Sequence, residues 1–201
     1  MPVSSLNLPP LPPTGGEITG RNAVDVLREQ HRELLSLCDR LLAEPGYRLT
    51  DVVVATLSRH LSAEEQYLYP AVRAVVPGGG PLADRELAED HGLLVTLAEL
   101  DRAGREGAEF ERLTAEVAAA VRRHVAADAE ELLPVLTELV PVEDLIRVGN
   151  RIELAGEAAP TRPHPGTPST PPWNKVVDPA VAVVDKVRDV FSGRTTYVRD
   201  L

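Results

Sequence analysis

The chain has 201 residues, of which 43% are hydrophobic but only 3% aromatic, so a core must be built mainly from leucine, valine and alanine. The formal net charge of -10 argues against nonspecific binding to nucleic acid and against docking on an anionic membrane. The single cysteine, Cys38, allows no disulfide within the chain, which favours a reducing compartment. The first residues lack the features of a signal peptide, and no apolar run is long enough to span a bilayer. We therefore expect a cytoplasmic protein.

Four helices are predicted after a first segment, residues 1–20, that is rich in proline, glycine and serine and is expected to be disordered or extended. Apolar residues three and four positions apart mark one inward face on each helix. The predicted helices span about Asn22–Ala43, Leu49–Val76, Pro81–Ala103 and Glu109–Leu139. Short connections rich in proline and glycine separate them. This pattern predicts an all-α fold, an antiparallel up-down four-helix bundle over residues 21–140.

A C-terminal extension follows over residues 141–201. A short helix is predicted over about Val142–Ala155, and the proline-rich stretch 158–173 cannot be helical. The amphipathic segment 179–191 carries several valines on one side. We expect this segment either to dock on the bundle or to meet a protein partner.

Histidines and carboxylates on the predicted inward faces point to metal binding. Each bundle helix carries one such histidine: His31, His60, His91 and His124. Glu64 follows His60 by four residues, and Asp128 follows His124 by four, so each pair lies on one face of its helix. A lone histidine on an apolar face is usually structural. Four of them with two carboxylates are difficult to explain by packing, because a buried carboxylate without a partner is costly.

The donor set suits two adjacent metal ions. Two octahedral ions have about twelve coordination positions. Four imidazoles, two bridging carboxylates and a shared oxo or hydroxo group would leave roughly two positions for solvent or a small ligand.

These segments resemble the hemerythrin HHE cation-binding family. HLSAEEQYLYP (60–70) and HVAADAEELLP (124–134) are similar to its two repeated signatures, and REQHREL (28–34) and AEDHGLL (88–94) to its single-histidine helices. The resemblance covers about residues 22–140. It implies a non-haem di-iron centre, two iron ions with an oxo or hydroxo bridge, in which Glu64 and Asp128 are the bridging carboxylates. The implied ligands are His31, His60, Glu64, His91, His124 and Asp128.

The chain also departs from the family pattern. Oxygen-carrying members have a further histidine where this chain has Val95, which leaves room for solvent or substrate and argues against simple oxygen carriage. Asp128 stands where glutamate is common, so Glu131 is an alternative second bridge. Tyr67 is predicted on the inward face, whereas Glu65 is expected to be solvated. The tail TRPHPGTPSTPPWNKVVDP resembles extensions of actinobacterial members, which suggests the bacterial branch.

Three functions remain open on the sequence alone. The first is binding or turnover of a small oxidant, namely peroxide, dioxygen or nitric oxide. The second is a sensor or regulator that signals through residues 179–191, and the third is a structural bundle without metal. The sequence does not predict the oligomeric state.

Overall fold

The computed structural model describes residues 18–167 and 174–201. These residues form eight α-helices, two π-helical turns and a final 3-10 turn, and contain no strand. The α-helices are α1 (Ala23–Ala43), α2 (Tyr47–Ala63), α3 (Tyr69–Val75), α4 (Gly79–Arg102), α5 (Ala108–Ala127), α6 (Leu133–Leu139), α7 (Val142–Ala158) and α8 (Asn174–Ser192). The π-helical turns are π1 (Glu64–Leu68), between α2 and α3, and π2 (Asp128–Leu132), between α5 and α6.

Parts of two predicted segments lie outside the described residues. These parts are residues 1–17 of the N-terminal segment and residues 168–173 of the proline-rich stretch. Residues 159–167 of that stretch contain no helix, as expected.

The predicted all-α four-helix bundle is confirmed. Its members are α1, α4, and the two longer rods formed by α2–π1–α3 and by α5–π2–α6. The Asn22 side chain caps α1 by accepting a hydrogen bond from the Asp25 backbone N–H at 3.0 Å. Gly78 precedes α4 with a φ of +74°, a conformation that favours glycine. The predicted helices therefore exist, with bounds close to the observed ones.

The buried apolar side chains of the described chain form two clusters, one at each end of the bundle. On α1, Leu27 belongs to one cluster and Leu34 to the other, and His31 lies midway between them. On the rod formed by α5–π2–α6, Leu132 belongs to the same cluster as Leu27, and Val121 belongs to the same cluster as Leu34. The inward-facing polar residues therefore occupy a layer between two apolar clusters.

Both π-helical turns begin at a predicted metal-binding carboxylate and end close to a proline. The backbone N–H of Tyr69 donates to the carbonyl of Glu64, and that of Leu133 donates to the carbonyl of Asp128, each five residues back. Pro70 and Pro134 come next; a proline has no N–H and crowds the carbonyl four residues earlier, which favours a wider turn before it. A wider turn shifts the register of the helix that follows.

This shift corrects the prediction for Tyr67. That side chain is only half-buried, whereas Tyr69 is fully buried. The extra residue accommodated by π1 moves the inward face from Tyr67 toward Leu68 and Tyr69.

The predicted inward face of the third helix was wrong by one residue for most of its positions. Helical spacing predicted Leu87, His91, Leu94 and Ala98 on that face, and of these only Ala98 is fully buried. The other buried side chains of α4 are Ala83, Glu86, Asp90, Leu93, Leu97 and Leu100, and His91 is exposed. The observed rotation buries three leucines, because Leu93, Leu97 and Leu100 follow one another at helical spacing.

The C-terminal extension packs on the bundle. α7 lies against α1, α2 and π1. At Gly149 an added Cβ would collide with the carbonyl oxygen of Arg21, so this close approach requires glycine. α8 contacts α7 and π1 and turns Asp178, Asp185 and Asp189 toward the protein. No helix in residues 18–167 or 174–201 is both long and apolar enough to cross a membrane.

Candidate metal centre

Five potential metal ligands meet in the polar layer of the bundle. One ligand atom from each of His31, His60, Glu64 and His124 lies within 4.8 Å of every other. Asp128 adjoins this group, with Oδ2 at 3.4 Å from Nε2 of His31. All five side chains are at most 4% exposed. Three bundle members contribute: α1, the rod containing α2 and π1, and the rod containing α5 and π2.

The ligand atoms point toward one common volume. Oε1 of Glu64 lies 3.3 Å from Nε2 of His60, and Oε2 lies 3.3 Å from Nε2 of His124. The Nε2 atoms of these two histidines are 3.1 Å apart. Nε2 of His31 lies 3.7 Å from Oε1 of Glu64. Two imidazole nitrogens this close need a proton or a cation between them, because their lone pairs repel each other.

Gln30 fixes the orientation of one of these imidazoles. Its amide Oε1 lies 2.9 Å from Nδ1 of His60. An amide oxygen only accepts, so the Nδ1 of His60 is the donor and its Nε2 keeps the lone pair. That lone pair faces the common volume, as a metal ligand requires.

Asp90 has the same relation to His124. Its Oδ1 lies 3.0 Å from Nδ1 of His124, and its Oδ2 accepts a hydrogen bond from the hydroxyl of Tyr69. A carboxylate behind an imidazole fixes the ring orientation and raises its basicity toward a metal. The three residues, Tyr69, Asp90 and His124, form a chain from the bundle core to the candidate ligands.

The carboxylate oxygens at the centre contact imidazole nitrogens but form no hydrogen bonds within the described chain. Both side-chain oxygens of Glu64 and both of Asp128 are shielded from solvent and lack a hydrogen-bond partner there. Nε2 of His31 is also shielded from solvent and has no hydrogen-bond partner in the described chain. Leaving such charges buried and uncompensated costs on the order of several kcal/mol per ion. A metal cation satisfies all of these atoms at once, so the donor set fits a metal site.

Without metal, protons must balance the charge of this cluster. Burial lowers the pKa of His60 to about 3, so its ring is neutral. Burial also acts to lower the pKa of His124, but the carboxylates of Glu64 and Asp90 outweigh it and raise that pKa well above its usual value. Burial, with the adjacent charge of Glu64, raises the pKa of Asp128 well above its usual value. The metal-free cluster therefore favours a proton on His124, and Asp128 keeps its proton to a higher pH than an ordinary aspartate.

Glu64 remains the negative charge of the group. Burial acts to raise its pKa, but the imidazoles of His60 and His124 outweigh this and hold the pKa well below its usual value. Its two oxygens each face a different imidazole. This arrangement suits a carboxylate that bridges two ions.

Two residues from the sequence predictions lie away from the cluster. His91 is exposed on α4, because the helix is rotated to bury Asp90 instead. Glu131, the alternative bridging carboxylate, is exposed and pairs with Arg85 at 2.5 Å. Asp128 therefore occupies the position for which Glu131 was considered.

Glu65 was expected to be solvated, and that expectation was wrong. Its side chain is only 8% exposed, and burial together with the charges of Asp90, Asp178 and Glu64 raises its pKa to about 8. Asp178 comes from α8, which packs against π1. Its Oδ2 accepts hydrogen bonds from Ser62 at 2.7 Å and from Gln66 at 3.1 Å.

Three residues that support the cluster were not among the predicted site residues: Gln30, Tyr69 and Asp90. Asp90 had a detectable signal, since it precedes Leu93 and Leu97 at helical spacing. Gln30 is adjacent to His31, and nothing in its spacing distinguishes it from a surface glutamine. Tyr69 becomes inward-facing only through the register shift at π1.

Each of the three histidines borders a different cavity. His31 borders one of about 610 Å³, which Leu35, Val125, Ala129 and Leu133 also line. His124 borders one of about 460 Å³ beside Asp90. His60 borders one of about 480 Å³ beside Gln30. The centre is thus buried, but the three histidine rings are all that separates it from these cavities.

Comparison with known proteins agrees with this geometry. Residues 22–136 match the family model of the hemerythrin HHE cation-binding domain. An uncharacterised hemerythrin-like protein of Schizosaccharomyces pombe is 23% identical over 172 residues, which cover 83% of this chain and 85% of that protein. No solved structure is significantly similar to the chain.

Proposed function

The chain belongs to the hemerythrin HHE cation-binding family, and we propose that it is a non-haem di-iron protein that binds or turns over a small oxidant: hydrogen peroxide, dioxygen or nitric oxide. Two iron ions with an oxo or hydroxo bridge would be held by His31, His60, Glu64, His124 and Asp128. The observation that carries this proposal is the set of four carboxylate oxygens, from Glu64 and Asp128, that are buried among imidazole nitrogens without a hydrogen-bond partner in the described chain.

The number of ligands supports an open site. With His91 exposed, three imidazoles and two carboxylates remain as protein donors. Two six-coordinate ions have about twelve positions, so more of them stay available to solvent or ligand than four histidines would leave. When bound, iron supplies the redox chemistry and the positions at which a small oxidant can coordinate.

The protein side of the site has two roles. Gln30 and Asp90 hold the rings of His60 and His124 so that their Nε2 atoms face the centre. The cavity beside His31 is bordered by charged residues such as Arg28 and Arg32 and by the apolar side chains of Leu35, Val125, Ala129 and Leu133; these apolar side chains suit a small uncharged molecule, which needs no hydrogen-bond partner there. These features favour peroxide, dioxygen or nitric oxide as the ligand.

Metal content and absorption test the proposal together. Purified protein is expected to contain iron and to show oxo-to-iron absorption that changes on addition of peroxide. Glu64→Ala and His60→Ala are expected to lose both iron and absorption, whereas Glu130→Ala, an exposed carboxylate on π2, retains them. Wild-type protein that folds but neither contains nor takes up iron would refute the proposal.

A second candidate function, sensing and regulation, is favoured by the position of α8. Asp178 of α8 bonds to Ser62 and Gln66, which flank Glu64 in sequence. On its outer side α8 exposes Val187 and Val190, 53% and 82% respectively. A change at the metal centre could thus pass through π1 to a protein partner of residues 179–191.

One experiment distinguishes the two candidate functions. Val187→Glu and Val190→Glu change only exposed positions of α8. In a sensor these substitutions abolish partner binding, and in an oxidant-processing enzyme they leave turnover unchanged.

We also propose that the protein belongs to the bacterial, actinobacterial-type branch of the family and acts in the cytoplasm. The assignment to the bacterial branch rests on the tail sequence after residue 160, although the S. pombe relative is fungal. The cytoplasmic location is supported by Cys38, a free and buried thiol.

A further inference from the structure

Arg59 is a buried cation that forms no ion pair with any of the described residues. It immediately precedes His60 in α2 and is only 9% exposed. Its Nη1 donates to the carbonyl oxygen of Thr196 at 2.6 Å, and its guanidinium lies 4.2 Å from the ring centre of Tyr197. Nε and Nη2 have no hydrogen-bond partner in the described chain, and no described carboxylate lies within ion-pair distance.

Such an arginine is unusual because a buried charge is normally paired. Taking a guanidinium out of water is costly unless an anion and hydrogen bonds replace the lost hydration. The structure supplies one carbonyl and one aromatic face, which satisfy neither Nε nor Nη2.

A cavity of about 480 Å³ adjoins this arginine. Its lining includes Arg59, Arg199, Gln30 and His60. The ring of Tyr197 lies between two guanidinium groups, 4.2 Å from that of Arg59 and 4.4 Å from that of Arg199. Arg199 also forms no ion pair in the described chain. Two guanidinium groups that form no ion pair within the described residues thus border one cavity.

Acidic residues also border the cavity, but they lie nearer its rim. Glu33 and Glu157 are exposed, and Glu153 pairs with Arg21 at 2.5 Å. Exposed charges are screened strongly by water and salt, whereas a buried charge is screened much less. Glu157 and Asp189 attract Arg59 from beyond ion-pair distance, so Arg59 is a buried positive charge with no direct anionic partner in the described chain.

We propose that this cavity binds a small oxyanion, a carboxylate or a phosphate, between the guanidinium groups of Arg59 and Arg199. The planar N–H fork of arginine matches both kinds of oxyanion through paired hydrogen bonds. Nε and Nη2 of Arg59 are shielded from solvent, so the anion reaches them when the Tyr197 ring moves out from between the two arginines. Tyr197 is thus the cover of the site.

This site is distinct from the metal centre. Arg59 and His60 are adjacent in sequence, but Nδ1 of His60 is occupied by Gln30 and Nε2 faces the metal ligands. The anion would therefore contact guanidinium groups rather than a metal ion, and the proposal holds whether or not the centre contains iron.

Anion titration of the full-length chain tests the proposal. Inorganic phosphate and acetate are titrated separately, by calorimetry, against metal-loaded protein and against protein stripped of metal. We expect saturable binding of at least one anion in both preparations. Arg59→Gln and Arg199→Gln are each expected to weaken it by about tenfold or more. Arg40→Gln, an exposed arginine in the last turn of α1, is the control and should bind as the wild type does.

The results separate the explanations. Absence of saturable binding of both anions to the wild type overturns the proposal. Binding that disappears when metal is removed places the anion on the metal and also overturns it. If Arg59→Gln does not fold, Arg199→Gln decides, because Arg199 is exposed; unchanged binding in that variant contradicts the site. The stronger of the two anions identifies whether the natural ligand is a carboxylate or a phosphate.

Discussion

Asp90 and His124 are joined by a contact that lies wholly inside the bundle: Oδ1 of Asp90 is 3.0 Å from Nδ1 of His124. Both side chains are at most 4% exposed. The hydroxyl of Tyr69 donates to the other oxygen of Asp90, which holds that carboxylate in place. The contact therefore determines which nitrogen of His124 is offered to the metal.

Substitution of Asp90 should weaken metal binding without removing a ligand. Asp90→Asn keeps the shape of the side chain but removes its charge, so His124 loses both orientation and basicity. We expect metal affinity to fall about 10- to 100-fold, measured by competition with a chromophoric chelator. Glu89→Gln, at the exposed neighbouring position, is the control. Equal affinities of Asp90→Asn and wild type would show that the contact does not support the site.

The exposed His91 provides a direct test of the helix register. Because its side chain is exposed and absent from the buried cluster, we expect His91→Ala to retain the metal content of the wild type. His124→Ala should lose it, since that ring faces both Glu64 and Asp90. Elemental analysis of the two purified variants distinguishes them. Loss of metal in His91→Ala would restore this residue to the ligand set and contradict the observed register of α4.

Most of the fold followed from helical periodicity, and most of the candidate site from histidine–carboxylate spacing. His60 with Glu64, and His124 with Asp128, lie four residues apart within single helices, so no long-range information was needed to align them. On α4, however, two neighbouring faces of the helix are similarly apolar, so periodicity alone does not show which face is buried. The choice between Asp90 and His91 depends on Tyr69 and His124, which belong to other helices.

Two other features depended on interactions that periodicity does not encode. The π-helical turns arise from the prolines that follow them, and they moved Tyr69 rather than Tyr67 inward. The burial of Glu65 depends in part on α8, whose Asp178 lies more than a hundred residues away in sequence. Local patterns could therefore find the ligands but not the residues that surround them.

Metal affinity should rise with pH. The raised pKa values of His124 and Asp128 favour their protonated forms in the metal-free protein, and a metal must displace such protons to bind. We expect release of about one proton or more per chain on metal binding near neutral pH. Calorimetry in two buffers with different ionisation enthalpies measures this number. A metal affinity that stays constant between about pH 6 and pH 8 would contradict the charge state assigned to the cluster.

Glu65 should make the metal-free protein less stable as pH rises. Its pKa is about 8 in the fold, compared with an ordinary value of 4.5. Between these values the folded chain holds a proton that the unfolded chain releases, so the free energy of unfolding falls as pH increases. Glu65→Gln removes this dependence and should raise stability at pH 8 more than at pH 5, by on the order of 1 kcal/mol or more.

Urea denaturation at these two pH values provides the comparison. Glu130→Gln, at an exposed position, should have little effect at either. An equal effect of Glu65→Gln at both pH values would mean that Glu65 is already ionised when the protein is folded.

Anomalous scattering at the iron absorption edge, from a crystal of iron-loaded protein, tests the di-iron centre most directly. We predict two peaks about 3.5–4 Å apart, surrounded by His31, His60, Glu64, His124 and Asp128. A folded bundle with no peak among these residues, or with iron bound only elsewhere, would contradict the account.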